Sequence, residues 1–191
     1  MIARLRGTVA ARGPAGLVID VGGVGYLVQP TRRAAQKARG KGEVTVETYL
    51  HVREDVLQLY GFADATEREM FEHLLSVSGV GPKVALAIVS GSTPDELRRA
   101  IALDDTARFQ AIPGIGMKTA KRVVLELKEK FGDHGSAVDA EPSEVAGAHL
   151  VAREALVELG FSVIEADRAL AELDPELPPE ERVRLVLRRA A

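Results

Sequence analysis

Across residues 1–63 apolar side chains recur at every second position, as in Leu17, Ile19 and Val21, then Val24, Tyr26 and Val28, and later Val44, Val46, Thr48 and Leu50. Such alternation turns one face of a strand to a core and the other to water. Gly22-Gly23 separates the first two runs, and paired glycines suit the central positions of a type I′ hairpin turn, which need positive φ. Pro30 to Arg39 interrupts the pattern and predicts a short helix. Several short strands with one helical interruption fit a small closed barrel. The five-stranded oligonucleotide-binding (OB) barrel is the expected form, with an SH3-like barrel as its rival.

From Asp64 the apolar period lengthens to that of a helix. Asp64-Ala65-Thr66-Glu67 and Thr93-Pro94-Asp95-Glu96 both have the spacing of a capping box, the second with proline at the first helical position. Gly132 to Ser143 is poor in apolar residues and without period, and it predicts a flexible tether. Beyond it, Val151, Ala152, Ala155, Leu156 and Leu159 mark one helix face, Gly160 stops that helix, and two shorter helices follow around Asp174-Pro175 and Pro178-Pro179. The expected class is therefore multi-domain α+β: a barrel over 1–63, a helical domain over 64–133, a linker over 134–143 and a three-helix domain over 144–191.

Composition narrows the chemistry. The 191 residues include no cysteine, which excludes disulfides, thiolate metal sites and thiol nucleophiles. The longest apolar run is only Val84 to Val89, and no apolar stretch follows the charged amino terminus, so neither a membrane span nor a secretory signal is expected and the protein is read as cytoplasmic. The overall charge of −3 conceals segregation, because the three segments 1–63, 64–133 and 134–191 carry +4, −1 and −6. A basic front and an acidic tail suit different partners.

The most informative feature is a repeat. At an offset of 35 residues, Val77-Ser78-Gly79-Val80-Gly81-Pro82-Lys83-Val84-Ala85 aligns with Ile112-Pro113-Gly114-Ile115-Gly116-Met117-Lys118-Thr119-Ala120. Each copy lies between helical stretches. Glycines on both sides of one apolar residue allow a tight, positive-φ turn whose apolar side chain, Val80 or Ile115, plugs down between the helices. The turn's amides then join the positive end of the following helix dipole to make an anion site, with Lys83 or Lys118 adding a full charge. Phosphate of nucleic acid, bound without base reading, is the matching ligand. This is the helix-hairpin-helix motif in tandem. The alternative, glycine turns that merely join core helices, does not account for lysine at the same place in both. Gly116-Met117-Lys118-Thr119 is not a Walker A loop, since the required earlier glycine and preceding strand are missing.

With the opening Met1-Ile2-Ala3-Arg4-Leu5-Arg6-Gly7, the segments Val52-Arg53-Glu54-Asp55 and Leu59-Tyr60-Gly61-Phe62, both hairpins and a detached helical tail, the chain resembles the RuvA family along its whole length. The resemblance implies an OB barrel, a tandem helix-hairpin-helix domain and a three-helix domain like the ubiquitin-associated fold. It implies a homotetramer or octamer that holds a four-way (Holliday) DNA junction open and square, with no cofactor, catalytic residue or metal of its own. The tail would recruit the RuvB ATPase, and the RuvC resolvase is a further candidate partner. Carried over position by position, Gly79, Gly81, Lys83, Gly114, Gly116, Lys118 and Arg122 become phosphate contacts, and Glu54 and Asp55 an acidic pin at the tetramer centre. Without the resemblance, Glu54-Asp55 would read as a solvated hairpin tip. Met117 departs from the pattern, since many relatives carry a second basic residue there. Arg53 could meet DNA or pair with Glu54. Leu159-Gly160-Phe161 resembles an exposed partner-binding loop, although Phe161 suits a core equally well.

Two other classes compete. A helix-hairpin-helix glycosylase or nuclease would need an aspartate in a base-flipping pocket or a metal-binding cluster. Asp133 has roughly the right spacing but falls in the expected tether, and no dense acidic cluster is visible. An adaptor that joins proteins without DNA leaves the paired anion turns unexplained.

Overall fold

The computed structural model describes residues 1–40, 42–133 and 144–190. Five strands, β1 (Arg4–Gly13), β2 (Gly16–Val21), β3 (Val24–Pro30), β4 (Glu43–Arg53) and β5 (Val56–Phe62), close in the order β1-β2-β3-β5-β4. β4 pairs antiparallel with β1, which seals the barrel, while β3 and β5 run parallel. This is the OB arrangement, not the SH3-like rival. Leu5, Leu17, Ile19, Val28, Val44, Val46 and Leu59 fill the interior, each contributing about 1.5–3 kcal/mol through burial. Gly22 and Gly23 both take positive φ, as the predicted turn requires, and the Gly23 amide donates to Asp20 Oδ1.

The crossover from β3 to β4 contains α1 (Arg32–Lys37), capped by Thr31. After β5 comes α2 (Ala65–Leu75), whose Phe71 ring meets Tyr49, Tyr60 and Phe62 of the barrel at centroid distances of 4.9–5.4 Å. Only half of the first expected capping box forms. Asp64 accepts from the Glu67 amide, but the fully buried Glu67 carboxylate turns to the Ala63 amide (2.8 Å) and the Thr31 hydroxyl (2.7 Å). A buried carboxylate needs donors, and here they come from the barrel, so Glu67 joins barrel to helix. The second box is complete, with Thr93 and Glu96 exchanging bonds at the start of α4 (Pro94–Ala102).

Packing divides the chain into two compact units, Met1–Arg98 and Arg99–Ala191. The first also contains α3 (Pro82–Gly91); the second contains α5 (Thr106–Gln110) and α6 (Met117–Asp133). The expected tether begins too early: Gly132 and Asp133 belong to α6, because the amphipathic helix carries through a glycine near its end. The remainder of that tether, and the expected linker over 134–143, lie outside the described residues. In the same unit α7 (Glu144–Glu158), α8 (Val163–Ala171) and α9 (Pro179–Ala190) pack around Ala152, Leu156, Ala166, Leu170 and Val186. Gly160 ends α7 with φ of 101°. None of the described helices is long and apolar enough to cross a membrane.

Candidate nucleic-acid interface

The two glycine turns fold alike. In the first, the Val77 amide donates to the Leu74 carbonyl, Val80 to Val77 and Ala85 to Gly81; in the second, Ile112 donates to Phe109, Ile115 to Ile112 and Ala120 to Gly116. Gly79 and Gly114 adopt φ of 89° and 91°. Val80 and Ile115 plug inward, 5% and 6% exposed. Each turn is thus anchored by one apolar side chain and pinned by the same three backbone bonds.

Gly81 has φ of −90°, and neither it nor Gly116 is in the positive-φ region. A Cβ at either would meet nothing within 4 Å. Conformation and internal packing therefore both admit a side chain there. α3 opens with Gly81 as a cap that offers no side-chain bond, and with Pro82, which lacks an N–H. The following amides of the first turn have no intrahelical acceptor, and the helix dipole favours an anion beside them.

Lys83 and Lys118 are exposed and form no ion pair among the described residues. Arg122 is less available, since its Nε lies 3.9 Å from Glu126 Oε1 one turn along α6. Met117 takes the place of Pro82 in the second copy; it is exposed, and its sulfur accepts from Gln110 Nε2.

Glu54 and Asp55 form the two-residue tip of the β4–β5 hairpin, where Arg53 pairs with Val56 and Val52 with Leu57. Both acids are exposed, and no salt bridge joins Arg53 to Glu54 among the described residues. Sequence reasoning missed the flanks of this tip. Val52 and Leu57, 62% and 76% exposed, continue the apolar alternation past the end of the barrel core, so period alone could not distinguish them from buried positions. In the tail the ambiguity over the α7–α8 turn is resolved side chain by side chain: Phe161 packs against the module core, whereas Leu159 and Ile164 are exposed.

A charge network spans α5 and the three-helix module. The Asp105 carboxylate accepts two bonds from Arg153 of α7, and Arg108 donates to Asp167 of α8 at 2.8 Å. Burial would raise the Asp167 carboxyl, but the bond from His149 and the charges of Arg108 and Arg153 outweigh it and hold the group below its ordinary range.

Comparison with known families matches the RuvA N terminal domain over residues 1–61, a SAM-like helix-hairpin-helix tandem over 71–129 and the RuvA C-terminal domain over 152–191. The Holliday junction branch migration complex subunit RuvA of Thermobifida fusca is 48% identical, over 100% of this chain and 96% of that protein. The subunit of the same name from Chloroflexus aggregans is 45% identical, over 98% and 97%. That from Pseudomonas aeruginosa is 43% identical, over 98% of each.

Proposed function

The chain belongs to the RuvA family, and from that premise we propose that it binds four-way DNA junctions irrespective of sequence, as a symmetric tetramer or a pair of tetramers, and recruits a RuvB ATPase for branch migration. The observation that carries this reading is the pair of matching turns, each with an unobstructed glycine beside a helix start and an exposed lysine. Amides and lysines of this kind hold phosphate oxygens and leave base edges unread. In gel-shift competition the protein is expected to prefer a four-way junction over duplex of the same sequence content; equal affinity for the two would defeat the proposal.

Fourfold symmetry matches a four-armed substrate. It would bring four Glu54-Asp55 tips near one axis, where their carboxylates repel phosphates and keep strands from settling at the crossover. Replacing Glu54 and Asp55 together by glutamine is expected to leave junction affinity unchanged or higher while altering the rate of branch migration with the motor present. A rate equal to that of the parent would remove the pin role.

The three-helix module suits a protein partner. Residues 144–191 carry a −4 balance, and 134–191 one of −6, unfavourable toward DNA, and Leu159 and Ile164 offer apolar surface on either side of the α7–α8 turn. The protein acts in this reading as a DNA-binding subunit, with the motor supplying ATP hydrolysis. Asp133, the residue a glycosylase reading would need, is the last residue of α6, and no observation favours that reading.

A further inference from the structure

The helix leading into each turn has an aspartate N-cap, and each aspartate is gripped by an arginine from another part of the fold. For α2, Asp64 accepts from the Glu67 amide at 2.9 Å, and its other oxygen accepts from Arg33 Nη2 of α1 at 3.0 Å. For α5, Asp105 accepts from the Arg108 amide at 3.2 Å, while Arg153 of α7 donates Nη1 to Oδ2 at 2.5 Å and Nη2 to Oδ1 at 2.8 Å. The barrel side clamps the first lead-in helix. The C-terminal module clamps the second.

The clamps do not matter equally, because the helices differ in what they can sustain alone. α2 has 11 residues and buries Met70, Phe71 and Leu74, whereas α5 has 5 and buries Phe109. So short a helix has no independent stability in water. Its Phe109 carbonyl nevertheless accepts the Ile112 amide that opens the second turn. We infer that Arg153 is a positioning residue for DNA binding: through Asp105 the C-terminal module holds α5, and with it the Gly114–Lys118 turn, in the geometry that grips phosphate.

The character of the contact makes it a coupling device. Arg153 and Asp105 are 2% and 7% exposed, and the nearby Arg108–Asp167 bond adds a second charged link between α5 and the module. The module's apolar core contains no residue of α5, so opening the charged link leaves that core intact and lets water solvate the separated charges. A protein that draws the module away therefore loosens the second turn. By linkage, DNA on that turn favours the seated module by the same factor.

This inference rests on the phosphate-binding reading of the turns, and the test separates the two. In the full chain, Arg153→Met keeps the aliphatic stem without the charge, and Asp105→Asn keeps an N-cap without the carboxylate. The second variant keeps the test decisive if the first fails to fold by circular dichroism. Binding of a synthetic four-way junction, titrated with salt, is expected to weaken roughly fivefold in each. Combined with Lys118→Ala, neither variant adds a further loss; combined with Lys83→Ala, each multiplies it. No loss, or the same added factor in both lysine backgrounds, overturns the inference. If Lys118→Ala lowers the salt slope and Arg153→Met and Asp105→Asn do nothing, the inference alone falls. If Lys118→Ala changes neither affinity nor slope, the phosphate reading fails and takes the inference with it.

Discussion

Substituting alanine for Lys83 and Lys118 together is expected to reduce junction binding more than 100-fold near physiological salt, roughly, on the counterion-release scale. Every phosphate left without its lysine flattens the plot of log affinity against log salt by about 0.9. If four chains surround the junction as proposed, each with two lysines, the full change approaches about 7. Each single variant is expected to show about half of it. The weakening should be the same for junctions of different sequence, because an ammonium beside a helix start meets phosphate and not base edges. Folding should be untouched, since both side chains are exposed and outside any ion pair among the described residues. Affinity measured from low to moderate salt on two junction sequences checks both statements. An unchanged slope removes the phosphate assignment, and a weakening that depends on sequence replaces it with base reading.

Gly7→Ala is expected to unfold the barrel. A Cβ at Gly7 would lie 1.9 Å from the Asp20 carbonyl oxygen and 2.9 Å from its carbon. Both are backbone atoms of β2, in the ladder that pairs Thr8 with Asp20, so no rotamer change relieves the clash and the strands must separate. The cost is of order 4 kcal/mol or more, a large part of the ~5–15 kcal/mol that holds a typical domain together. Gly13, in the same strand, has nothing within 4 Å of a Cβ, and Gly13→Ala is the matched control. Urea unfolding followed by circular dichroism should show the Gly7 variant unfolded or melting far earlier, with the Gly13 variant near the parent. Equal midpoints would mean that β1 and β2 do not approach as described.

These two predictions differ in how much of their basis can be seen in a one-dimensional string. The lysines stand out because the repeat at 35 residues puts them at equivalent places after equivalent glycines, and every interaction defining those turns spans at most a few positions. Gly7 does not stand out. It sits in an alternating strand like any other residue, and its necessity comes from the carbonyl of Asp20, in the next strand. Gly79 and Gly81 show the same division within one motif. Both are legible as turn glycines, yet only the backbone angles reveal that Gly79 takes the positive φ of the turn while Gly81 does not.

Strands, helices, caps and the paired turns were therefore readable from the chain, because periodicity, positive φ and capping act between near neighbours. Partners chosen across long separations were not. Glu67 has the spacing of a capping residue but is claimed by Thr31, 36 positions away; Phe161 goes inward while Leu159 stays out. Arg153 reaches Asp105 across 48 positions and carries no local signal of doing so. A buried charge accepts whichever counter-charge the packed elements bring within hydrogen-bonding distance, and that choice is made only when the elements meet.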